Sequence, residues 1–61
     1  MTIKFGDLPI GARFWMGDPS LPWTKIAPEH GVQHYSWILS AVDTHGNKIN
    51  VMDNEECEVE G

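Results

Sequence analysis

The sequence has a single cysteine, four basic residues and no apolar run of membrane length. Each shortage excludes something. Cys57 alone cannot close an intrachain disulfide, so the cross-linked framework of many small secreted domains is ruled out, and a lone thiol fits a reducing compartment. Lys4, Arg13, Lys25 and Lys48 are scattered and make no basic stripe, which argues against direct nucleic-acid binding. The longest apolar passage, Trp37-Ile38-Leu39 followed by Ala41-Val42, is strand-sized, where a membrane helix needs about 20 residues. Met1-Thr2-Ile3-Lys4-Phe5 lacks the apolar stretch of a signal peptide. The expectation is a cytoplasmic chain with no membrane association. Long uninterrupted segments are also missing: six Gly and four Pro break every window in which a helix could be read.

What is present suits one small domain, residues 1–61. A chain this short buries only about 60% of its unfolded surface, so stability is marginal and a staple is usual. With disulfides excluded, metal or a partner chain remains. The hydrophobic fraction is 41%, with three Trp, two Phe and one Tyr, enough for a small core and too much for a disordered chain. The net charge of −5 is unevenly placed. Residues 1–52 balance four basic groups against Asp7, Asp18, Glu29 and Asp43. The whole excess lies in Asp53, Glu55, Glu56, Glu58 and Glu60.

Short apolar runs between turn signals are the grammar of an all-β domain. Strands are expected at Ile3–Phe5, Ala12–Met16, Trp23–Ala27, His34–Val42, Lys48–Met52 and Glu56–Glu60. Ile49, Val51, Cys57 and Val59 would face the core. Turns are expected at Gly6–Gly11, with Pro9 in second position and Gly11 free to take positive φ, and at Gly17–Pro22, Pro28–Gly31 and Thr44–Asn47. Five or six short strands predict a small SH3-like barrel or a strongly bent antiparallel sheet. The alternative is an open meander with one short helical turn, at Asp18–Leu21 or Pro28–Val32.

The order of motifs resembles small uncharacterised proteins encoded by bacteriophages and prophages. The residues that carry the resemblance are Phe5-Gly6-Asp7-Leu8-Pro9-Ile10-Gly11-Ala12-Arg13-Phe14, then Trp23-Thr24-Lys25-Ile26, then Ala41-Val42-Asp43 with Gly46, and a closing Glu58-Val59-Glu60. The likeness spans nearly the whole chain, with Pro28–Gln33 longer than the pattern requires. It implies a phage or bacterial origin, hence the bacterial host cytoplasm, and a small β-barrel. It transfers no catalytic residue.

Candidate chemistry is sparse. His30, His34, His45 and Cys57 lack the close ligand pairs of structural zinc. If residues 30–34 form a strand, His30 and His34 lie roughly 13 Å apart, too far for one ion. Cys57 sits among Glu55, Glu56 and Glu58, whose charges disfavour a thiolate, so a buried apolar position suits it better than nucleophilic catalysis. The carboxylates offer no evident desolvated pair for acid–base work. No enzyme, metal or cofactor is expected.

Aromatics and acids remain. Trp15 and adjacent Phe14 face opposite sides of a strand; Tyr35 and Trp37 share a side. Three Trp exceed what so small a core encloses, and Trp23, after Pro22 in a proline-rich loop, is the expected partly exposed anchor. Glu56, Glu58 and Glu60 line one strand face at about 7 Å spacing. The first expectation is a non-catalytic module that docks on a host or phage protein through Trp15, Trp23, Tyr35 and Trp37 and an acidic edge of Glu56, Glu58 and Glu60. The alternatives are an acidic inhibitor that mimics nucleic acid, and a homo-oligomeric structural component.

Overall fold

A computed structural model of the chain describes residues 1–30 and 38–60. Its described residues hold six strands and no α-helix: β1 (Thr2–Lys4), β2 (Arg13–Trp15), β3 (Pro22–His30), β4 (Ile38–Asp43), β5 (Lys48–Ile49) and β6 (Glu56–Glu58). They form a single antiparallel sheet in the order β1-β6-β2-β3-β4-β5. The sheet does not close, so the all-β form is an antiparallel sheet and not an SH3-like barrel, with β1 and β5 at its edges. One 3-10 turn, Phe5–Asp7, directly follows β1. The short helical turn expected at Asp18–Leu21 is instead a β-turn, closed by Leu21 N–H donating to the Asp18 carbonyl at 3.1 Å.

The turns follow from local chemistry. Ala12 N–H donates to the Pro9 carbonyl at 3.1 Å, so Pro9 is the first residue of its turn, not the second as expected. That places Gly11 at the third position, where its φ of 94° is free of a Cβ clash. The β4–β5 hairpin closes through Asp43 N–H to the Asn47 carbonyl at 3.0 Å, with Gly46 at φ 86°. This is a three-residue loop with its last residue left-handed. Asp43 Oδ1 accepts from His45 N–H at 2.8 Å and Asn47 N–H at 2.9 Å, and Oδ2 accepts from Asn47 Nδ2 at 3.1 Å. Asp18 Oδ1 likewise accepts from the backbone and hydroxyl of Ser20, at 2.9 and 2.7 Å.

Several element boundaries depart from expectation; β6 stops at Glu58, so Glu60 lies beyond the strand and not on its face with Glu56 and Glu58. β3 runs through Pro28 and Glu29 to His30, where a loop was expected. A register shift between Lys25 and Glu29 absorbs Pro28, which cannot donate to a ladder. β5 stops at Ile49, short of Met52, because the chain leaves the edge to cross the sheet and rejoin it as β6, between β1 and β2.

Pairing sorts the side chains onto two faces. Ile3 is opposite Cys57, Phe14 opposite Trp23, Lys25 opposite Ala41, and Ala41 opposite Ile49. This inner face carries the core: Phe5, Leu8, Phe14, Ala41, Val51 and Cys57 are buried, with Trp23, Ile49 and Val59 packed against them. Phe5 and Phe14 meet edge to face at 5.3 Å between ring centroids. The crossover covers this face. Val51 is buried, its N–H donates to Ser40 Oγ at 3.0 Å, and Ser40 Oγ donates back to its carbonyl at 3.3 Å. Phe5 and Gly6 N–H donate to the carbonyls of Glu55 and Asp53 at 2.8 and 2.9 Å. The outer face pairs Trp15 with Pro22 and Glu58, and Lys4 with Glu56.

Candidate functional site

The sequence-predicted residues separate by strand parity. Trp23 is partly exposed and lies in the strand expected from Trp23 onward. β3 begins one residue earlier, at Pro22, and holds Trp23 on the inner face, half-buried against the core. Trp15 takes the outer face, half-buried between Pro22 and Glu58 on the neighbouring strands. Glu56, Glu58 and Glu60 are exposed; Glu56 and Glu58 lie on β6 and share its outer side. Tyr35 and Trp37 lie outside the described residues.

The fold thus brings Trp15, Glu58 and Glu60 together. They line one open cavity of about 540 Å³ with Gly17, Pro19 and Val59. A smaller cavity of about 330 Å³ abuts it, sharing Trp15, Val59 and Glu60 and adding Arg13. One indole therefore stands between two depressions with carboxylates at its border. The acids are not a uniform negative row. Lys4 is the cross-strand partner of Glu56, and Arg13 shares a cavity with Glu60. The terminal ammonium lies 3.5 Å from Glu58 Oε2.

A larger depression lies elsewhere. A groove of about 830 Å³ opens beside the crossover, with Phe5, Leu8 and Val51 in its wall. Four large apolar residues are exposed among the described residues, and three of them line this groove: Ile10 at 64%, Met52 at 63% and Ile38 at 46%. Its charged lining residues are Lys25 and Asp53, one of each sign. Sequence reasoning missed this surface. Ile10 reads as a turn residue, while Ile38 and Met52 read as ordinary strand positions. Only the crossover brings the three together.

Lys25 has its own structural task. Its ammonium donates to the Phe5 carbonyl at 2.9 Å and the Leu8 carbonyl at 2.6 Å, and lies 4.6 Å from the Phe5 ring centroid. It ties β3 to the 3-10 turn and gives those carbonyls a donor.

Redox and metal chemistry find little purchase on the described residues. Burial, and next the Glu55 charge, push the Cys57 thiol up from its ordinary value, against a smaller opposing pull from Lys25. The thiol faces the core and touches the Glu55 carbonyl at 3.8 Å. Among the described residues no three His, Cys, Asp or Glu side chains converge to hold a metal ion. His30 ends β3, His45 sits in the β4–β5 turn, and His34 lies outside the described residues. No described helix is long and apolar enough to cross a membrane.

Fold and surface together define a small open-sheet β domain with an aromatic–acidic outer face and a separate apolar groove. Compared with known protein families, curated proteins and solved structures, the chain gives no significant match.

Proposed function

We propose that the chain is a small, non-catalytic protein-binding module of phage or prophage origin that docks on a host or phage protein through the outer face of β2 and β6. One observation carries this reading: Trp15 stands cross-strand from Glu58 and lines a single cavity with Glu58 and Glu60. An indole supplies apolar contact at small entropic cost, and adjacent carboxylates supply orientation and on-rate toward a basic partner. The complementary partner presents a Lys or Arg beside an apolar side chain. Imitation of a nucleic-acid backbone has less support, because Lys4 and Arg13 interrupt the negative row that it needs.

The test is affinity capture from bacterial lysate with the tagged full chain, at low and at moderate salt, followed by titration of the captured protein in purified form. The wild type is expected to hold its partner at moderate salt. Trp15→Ala should weaken binding by about 2 kcal/mol or more, as hot-spot truncations do. Glu58→Gln with Glu60→Gln should slow association and flatten its salt dependence. Equal retention by wild type and Trp15→Ala would refute this surface as the docking site.

A further inference from the structure

Building on the docking role of the outer face, we infer that the cavity bordered by Trp15, Pro19, Glu58 and Glu60 is a pocket for one arginine side chain of the partner. The smaller cavity beside it takes an apolar side chain next to that arginine.

The lining selects the occupant. The cavity of about 540 Å³ holds two carboxylates, Glu58 and Glu60, and no cation. Its other side chains, from Trp15, Pro19 and Val59, are apolar or aromatic. A cationic side chain with a long aliphatic stem matches that set: the stem lies along Pro19 and Val59, and the charge meets the carboxylates. Arginine uses every wall. Its planar guanidinium stacks on an indole, and its fork donates two parallel hydrogen bonds to one carboxylate. Lysine offers only a compact, strongly hydrated point charge.

The neighbouring cavity has a different balance. It is about 330 Å³, shares Trp15, Val59 and Glu60, and adds Arg13, Leu8 and Ala12. One carboxylate against one guanidinium leaves it without net charge. A cation is therefore drawn to the larger cavity, and apolar contact is left for the smaller. Together the two orient a ligand across the Trp15 indole. Glu58 is also free to change partners. Its contact with the terminal ammonium is 3.5 Å long and both groups are more than half exposed, so an incoming guanidinium displaces it at little cost.

The test is NMR titration of the isotope-labelled full chain with three N-acetylated tripeptides: arginyl-alanyl-leucine amide and its lysine and citrulline counterparts. Citrulline keeps the shape of arginine and loses its charge. The arginine peptide is expected to shift the Trp15 indole N–H and the Glu58 and Glu60 amides with a Kd of about 1 mM, ordinary for so small a ligand. The lysine peptide should bind about threefold or more weakly, and the citrulline peptide more weakly still. Glu58→Gln with Glu60→Gln, both at exposed positions, should weaken the arginine peptide about fivefold and leave the circular dichroism spectrum unchanged. No shift at Trp15 up to about 10 mM, equal affinity for the three peptides, or indifference to the glutamine pair would overturn the pocket. If capture from lysate still depended on Trp15, such a result would remove the arginine assignment alone. Capture that survives Trp15→Ala would remove the docking face itself.

Discussion

At the scale of single residues, the least expected contributor is Lys25. The sequence presents it as an alternating strand position on the same side as Trp23. That side is the core face, where a charged group needs partners. It finds them in two backbone carbonyls and the Phe5 ring. Lys25→Met keeps the aliphatic stem and removes the donors. It should cost about 1–3 kcal/mol in urea unfolding, chiefly by leaving carbonyls unpaired. Gly6 is a second such point. A Cβ there would come within 3.0 Å of Asp53 Cβ and 3.2 Å of the Asp53 carbonyl, so Gly6→Ala must shift the crossover. The expected loss is about 1–3 kcal/mol. Cys57 tests burial directly. Its thiol is held protonated, so its contribution is full below the unfolded value near 9.0 and is lost as pH rises through the raised folded value. Stability should therefore fall above pH 9 in the wild type and less so in Cys57→Ala. Equal alkaline slopes would show that the thiol is not desolvated.

At the scale of elements, the hairpin of β4 and β5 was readable and the placement of β6 was not. Thr44-His45-Gly46-Asn47 announces a turn through Gly46, and the structure adds Asp43 as its cap. Partial desolvation pushes the Asp43 carboxyl up. Hydrogen bonds from the Asn47 side chain and backbone and from His45 N–H, with the His45 charge, outweigh it and hold the group below its ordinary value. The sign follows: the cap stabilises above the unfolded value of 3.8 and is lost as pH falls through the lowered one. Asp43→Ala should thus lower the melting temperature at neutral pH and differ little from wild type in strong acid. A difference that persists in acid would assign the effect to something other than the carboxylate. The alternation Glu56-Cys57-Glu58 did reveal which side chain turns inward. It could not reveal that β6 lies between β1 and β2, because strand order is set by non-local packing that leaves no local pattern. The consequence is practical. The acidic segment includes a strand inside the sheet, so a chain ending at Met52 loses the partner of both β1 and β2 and should fail to fold.

At the scale of the whole molecule, two surfaces emerge from one sheet. The all-β class and much of the inward-facing set, from Ile49 and Val51 to Cys57 and Val59, were legible because pleat parity is periodic. The start of β3 was misplaced by one residue because Pro22 suggested a loop, whereas the ladder accepts proline at a strand start. The groove was invisible because Ile10, Ile38 and Met52 meet only through the crossover. So small a core has little reserve. Phe14 is fully buried against Phe5, and Phe14→Ala should cost about 3–5 kcal/mol, enough to unfold much of the population.

The central claim is that the outer face of β2 and β6 is where the chain docks on a different protein. Site-specific photocrosslinking in the cell tests it most directly. One photoreactive side chain replaces Arg13, exposed beside Trp15; another replaces Met52, exposed at the groove. The account predicts an adduct with a different protein from position 13 and none with that protein from position 52. No foreign adduct at position 13, or the same protein captured equally from position 52, would contradict it.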